Sequence, residues 1–155
     1  MSEHKATVQW RRGSDEAFAQ GRYSRVHSWH FDGGSELRAS ASPHVVPAPW
    51  SDAAAVDPEE AYVAALSSCH MLWFLSLAAG RGYVVESYQD EAVGHMREVR
   101  PQRPAVTEVI LRPRVRFDPA HSADADQLRE LHHAAHERCF LANSVRTEIT
   151  IEPRE

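Results

Sequence analysis

Cys69 and Cys139 are the residues of this chain best suited to chemistry. Two cysteines are too few for a disulfide framework and enough for a redox couple. Attack by a cysteine requires the thiolate, so a cysteine in apolar surroundings needs a positive group near it. Cys69 lies in residues 61–79, a stretch without Asp, Glu, Lys or Arg. A helix N-terminus cannot supply the charge, because about ten helical residues, roughly 15 Å of rise, precede the cysteine. An arginine from another element is the best supplier, since it is always protonated. On spacing alone both cysteines serve equally well as small core hydrophobes, and that alternative stays open.

A second group with chemical potential surrounds Cys139. His132 and His136 stand four apart, hence on one helix face, and Cys139 follows on nearly the same side, with His133 adjacent. No glutamate sits between the histidines as in a metalloprotease helix, and no second ligand pair lies at a recognisable spacing. A polar helix face is expected there, and no metal.

These residues need elements to carry them. Residues 6–10 alternate apolar and polar, as do residues 23–31; Gly33-Gly34 then makes a turn before a third strand over residues 35–42. Pro43, Pro47 and Pro49 mark a loop. Asp57-Pro58-Glu59-Glu60 is a strong helix start: a capping aspartate, a proline suited to the first turn, and two carboxylates at the positive end of the dipole. The helix should run to about Gly80, with Gly82 ending it. Residues 83–99 and 106–117 read as two long strands joined by the turn at residues 100–104. Residues 124–139 read as an amphipathic helix, and residues 144–152 as a last strand with Val145, Thr147, Ile149 and Ile151 on one face. The expected order is βββ-α-ββ-α-β in a single α+β domain spanning residues 1–155, an antiparallel sheet carrying helices.

Composition narrows the class further. The 155 residues are 43% apolar and 25% charged, with 17 basic against 22 acidic groups and a net charge of -5. That suits a folded domain with its own core and disfavours nucleic acid as a partner, which would call for a basic face. Residues 61–79 are long enough to span a membrane, but Ser67, Ser68, His70 and Ser76 lower their hydrophobicity. A central helix buried on all sides by protein is the expectation. No apolar run follows the first five residues, so no signal peptide is expected and the compartment reads as cytoplasmic.

Three segments bear a likeness to a known family: Tyr23-Ser24-Arg25-Val26-His27; Asp57-Pro58-Glu59-Glu60 leading to Ala65-Leu66-Ser67-Ser68-Cys69-His70-Met71; and Ala135-His136-Glu137-Arg138-Cys139-Phe140-Leu141-Ala142-Asn143-Ser144-Val145. The sequence resembles the OsmC/Ohr family, the osmotically inducible protein C and organic hydroperoxide resistance proteins. The likeness covers nearly the whole chain, including element order and the wide separation of the cysteines. His70 departs from the organic hydroperoxide branch, where an apolar or aromatic residue usually follows the nucleophile, and points to a general OsmC-like branch.

The resemblance implies a cysteine-based thiol peroxidase acting on organic hydroperoxides, alkyl or fatty-acid. Cys69 corresponds to the peroxidatic cysteine and would become a sulfenic acid; Cys139 corresponds to the resolving cysteine and would close a disulfide with it. Arg25 matches the family's arginine, with Arg22 as its nearest rival, and Glu59 matches the carboxylate that holds the guanidinium by a bidentate pair. No bound cofactor is implied; regeneration would come from an external thiol reductant, in the family often a protein-bound lipoyl (dihydrolipoamide) group. Glu59 and Cys69 are ten positions apart, about 15 Å along a helix and about 80° around it. Glu59 therefore cannot aim an arginine at the Cys69 of its own helix, and an intertwined homodimer with sites at the interface is expected. The competing function is a non-catalytic protein of this fold, binding a small apolar ligand in the dimer cleft. A thiolate hydrolase would need a general base and oxyanion donors that the sequence does not display.

Overall fold

The computed structural model describes residues 1–154. The chain divides into two compact units, Met1–Ala61 and Tyr62–Glu155.

The first unit is a three-stranded antiparallel sheet in the order β1 (Ala6–Gln9), β2 (His27–Phe31), β3 (Glu36–Ala39). Its register sets Val8 opposite Trp29 and Trp29 opposite Leu37. The second strand begins later than the sequence pattern suggests. Residues 23–26 turn away from the sheet because their groups are engaged locally: Trp10 Nε1 donates to the Ser24 carbonyl at 2.8 Å, and the Ser24 amide donates to Glu16 Oε1 at 2.8 Å. After β3 the chain closes back on itself, with the Ser40 amide bonded to the Val56 carbonyl at 3.0 Å and Ser40 Oγ accepting from the Asp52 amide at 3.0 Å.

Helix α1 (Pro58–Gly80) then carries the chain into the second unit. Asp57 Oδ1 accepts from the Glu60 amide at 2.8 Å, and Glu60 Oε2 accepts from the Asp57 amide at 3.2 Å. That reciprocal cap satisfies two of the helix's orphan donors. Gly82, at φ 82°, takes the left-handed conformation that ends the helix.

The two long strands expected from the sequence are four: β4 (Val85–Asp90), β5 (Val93–Arg100), β6 (Arg103–Leu111) and β7 (Pro113–Phe117). β4 pairs with β7, whereas β5 pairs with β6, which in turn pairs in parallel with β8 (Glu148–Ile151). Both long hairpin arms thus switch sheets at one level, and Asp90 secures the switch: its carboxylate accepts from the Arg112 amide at 2.6 Å and from Ser67 Oγ at 2.5 Å. Gly94 lets β5 lie against α1, since a Cβ there would meet Val63 Cγ2 at 2.6 Å. Helix α2 (Ala125–Arg138) starts on an Asp124–Gln127 capping box and ends at Cys139.

Two apolar clusters hold this unit together, one around Phe74, Ala78, Leu131 and Ala135, the other around Leu66, Val109 and Leu111. The helix buried on all sides is not what the protomer contains. Leu66, His70, Phe74 and Ala78, one residue per turn, form the buried stripe of α1, while Ala64, Ala65, Ser68, Leu72, Ser76 and Ala79 face outward. By length and composition α1 is apolar enough to cross a membrane. Its uncharged character here serves two faces, one packed within the protomer and one open.

Candidate active site

Cys69 sits on α1 one residue before the buried stripe and is half-buried; Cys139 caps α2 and is 2% exposed. Both are free thiols, and their side chains meet: burial, followed by side-chain hydrogen bonding with Cys69, pushes the Cys139 thiol up to about 11. The Ala142 amide, at 3.4 Å from Cys139 Sγ, pulls in the opposite direction without offsetting burial. The second unit alone therefore brings the two sequence-predicted cysteines together. The arrangement suits thiol–disulfide chemistry, with one cysteine half-buried and a buried thiol beside it.

Arg25 is held within the first unit. Its Nη1 donates to the Gly21 carbonyl at 2.9 Å and to the Tyr23 carbonyl at 2.5 Å, and its guanidinium lies over the Tyr23 ring at 3.6 Å. Tyr23 in turn packs on Phe18 and Trp10, with centroids 4.5 Å and 5.6 Å away. Arg22 is exposed, and among the described residues its side chain makes no such bonds. Glu59 is half-buried in the first turn of α1. Among the described residues no ion pair joins Arg25 to Glu59 within the chain.

His132 pairs with a residue on the other helix. It is hydrogen-bonded to His70, Nδ1 to Nε2 at 3.0 Å, and both are buried, at 3% and 1% exposure. Burial holds His70 down at about 3, assisted by the charges on His132 and His136, and holds His132 down at about 4. Both rings are neutral at physiological pH. Sequence spacing marked His132 and His136 as a pair and left His70 without a partner; nothing local in the sequence joins residues on two different helices.

A hollow of about 720 Å³ opens beside Tyr62, with Arg100, Arg103 and Arg146 on its walls together with Val145 and Thr147. It adjoins α1 two turns before Cys69, and sequence reasoning did not find it.

The fold is α+β, two helices with small sheets, and solved structures share it. An OsmC-like protein of unknown function from Vibrio cholerae is 56% identical, with a TM-score of 0.96 over 99% of this chain and 100% of that one. An organic hydroperoxide resistance protein from Legionella pneumophila is 15% identical with a TM-score of 0.69, covering 99% of this chain and 96% of that one. The organic hydroperoxide resistance protein of Bacillus subtilis is 16% identical with a TM-score of 0.67, covering 99% and 98%. The two distant likenesses show the fold. The family model for OsmC-like proteins matches residues 51–154, and this chain belongs to that family. No curated protein matches it.

Proposed function

We propose that this protein is a cysteine-based peroxidase that reduces organic hydroperoxides, alkyl or fatty-acid, at the expense of a thiol reductant. The observation that carries the reading is the meeting of Cys69 and Cys139, the first half-exposed and the second buried. The organic hydroperoxide resistance proteins among its structural likenesses support the substrate class.

The chemistry balances with these two residues. The Cys69 thiolate attacks the terminal oxygen of ROOH; the O–O bond breaks, the sulfur is oxidised to sulfenic acid, and the departing alkoxide takes one proton to become the alcohol. Cys139 then attacks the sulfenic sulfur. Its proton leaves with the sulfenic oxygen as water, and the Cys69–Cys139 disulfide remains. An external dithiol, with dihydrolipoamide as the candidate, returns two electrons and two protons.

Arg25 is assigned to thiolate stabilisation and peroxide polarisation, with Glu59 as the carboxylate that orients it. We place both in an intertwined homodimer in which one subunit completes the other's site. The outward face of α1 supports that placement: it is uncharged, with Leu72 60% exposed. A reducing cytoplasmic compartment suits a disulfide that must be reopened each cycle.

The test is consumption of cumene hydroperoxide by the protein with dihydrolipoamide, beside hydrogen peroxide and a Cys69→Ser variant. Turnover that favours the organic peroxide and vanishes in the variant is expected. Equal loss of peroxide with and without Cys69 would defeat the reading.

A further inference from the structure

His70 and His132 form a buried side-chain hydrogen bond between α1 and α2. The two ring planes are 8° apart and the centroids 5.3 Å apart, while the bonded nitrogens are 3.0 Å apart. A centroid separation that large equals the nitrogen separation plus one ring radius at each end. The imidazoles therefore lie edge to edge and in line, the geometry of a well-aligned N–H···N bond and not of face stacking. Phe74 stacks on His132 with centroids 4.4 Å apart and fixes the plane of that ring.

The pair is costly by its chemistry. One neutral imidazole donates and the other accepts, so each ring has a second nitrogen, and His70 Nδ1 and His132 Nε2 are both buried without a partner. Two leucines would fill the space with no polar atom to desolvate. What leucines cannot supply is direction. Apolar contacts tolerate sliding and rotation of one helix on another, whereas a hydrogen bond fails with a small change in distance or angle.

The helices joined in this way are those that carry the cysteines. His70 follows Cys69 directly, and His132 lies seven residues, about two turns, before Cys139 and so on the same face of its helix. Rotation or translation at the histidine bond is transmitted to both sulfurs, and disulfide closure demands specific separation and dihedral geometry. We propose that the His70–His132 bond is a positioning pair that sets the register of α1 on α2 and thereby favours closure of the Cys69–Cys139 disulfide. Neither histidine touches the reacting atoms in this account. The inference rests on Cys69 and Cys139 being a redox couple.

The test avoids peroxide. Reduced protein is equilibrated with oxidised dithiothreitol, which accepts two electrons and two protons as the disulfide closes, and the exchange constant is read from alkylated thiols. His132→Leu is expected to lower that constant about tenfold or more. His132→Asn, whose amide reaches the position of Nδ1, and His70→Gln, whose amide reaches that of Nε2, should restore it to within about threefold of wild type. Urea unfolding of the reduced forms controls for stability. His132→Leu protein that is folded and closes its disulfide with the wild-type constant overturns the proposal.

Should the leucine variant fail to fold, the wild-type protein serves. Coupling is reciprocal, so the disulfide must strengthen the histidine bond as much as the bond favours the disulfide. Nitrogen-15 spectra should then show slower exchange of the shared ring proton in the oxidised form, and equal exchange in both forms overturns the proposal. Wild-type protein that closes no disulfide with dithiothreitol defeats the redox-couple reading itself, a result distinct from closure that ignores the histidines.

Discussion

Cys69 and Cys139 interact through their side chains although seventy positions separate them in sequence. They differ in access: Cys69 is half-buried on α1, and Cys139 at the end of α2 is 2% exposed. In the proposed cycle that asymmetry would set the order of events: a substrate oxygen would reach the outer sulfur first, and the inner one would wait as a neutral thiol.

Burial holds the Cys139 thiol at about 11, so at neutral pH only a small fraction is thiolate. The resolving step should accelerate about tenfold per pH unit between pH 7 and 10, following that fraction. Cys139→Ser should react once and then accumulate sulfenic acid that over-oxidises to sulfinic acid. Dimedone trapping and intact mass follow both. A resolving rate flat in pH, or no build-up of sulfenic acid in the serine variant, would remove Cys139 from this role.

Arg25 is fixed by two backbone carbonyls and the Tyr23 ring, whereas the neighbouring Arg22 is exposed. Arg25→Ala should slow the first oxidation of Cys69 about 100-fold, the scale of a lost charge-stabilising donor. Arg22→Ala should change it less than about twofold. Stopped-flow measurement of thiol loss distinguishes them, and equal effects would argue against a positioned arginine.

The two helix boundaries were legible for local reasons. Asp57-Pro58-Glu59-Glu60 encodes a cap that the structure forms, and Gly82 supplies the left-handed end. Pro113 stands in phase in the second long strand and suits an edge or bend there, where that strand divides, but the split of the first was not legible. It depends on Asp90, whose carboxylate reaches Arg112 and Ser67, and those contacts lie 22 and 23 positions away. Of the candidate site, both cysteines and Arg25 stood out in the sequence, Arg25 through the Tyr-Ser-Arg segment. The His70–His132 bond spans 62 positions and no periodicity connects its ends. The outward face of α1 escaped because an uncharged stretch reads as buried whether the cover comes from the same chain or another.

Acid should loosen the protein through the histidine pair. In the unfolded chain each histidine titrates near 6.5, and in the native state burial lowers His70 to about 3 and His132 to about 4. Between those limits the unfolded state binds more protons, so stability falls as pH drops below about 6.5, by up to tenfold in the folding constant per histidine per pH unit. Above about 6.5 both are neutral in both states and the effect vanishes. Urea midpoints between pH 7 and 5 should fall in wild type and much less in a His70→Leu/His132→Leu double variant. The same slope in both would contradict this.

The outward face of α1 centres on Leu72, 60% exposed between Ser68 and Ser76. Sedimentation should find a dimer at low micromolar concentration, and Leu72→Arg should shift it toward monomer. Leaving an apolar helix face of this size in water is unfavourable. A wild-type monomer at that concentration would contradict the interface sites proposed above.

The most direct measurement is the intact mass and free-thiol count of the reduced protein before and after one equivalent of cumene hydroperoxide, with hydrogen peroxide run beside it. The account predicts loss of both thiols and of two hydrogens in mass, faster with the organic peroxide. Two unreacted thiols would contradict it: the family's scaffold would then be present without the peroxide chemistry.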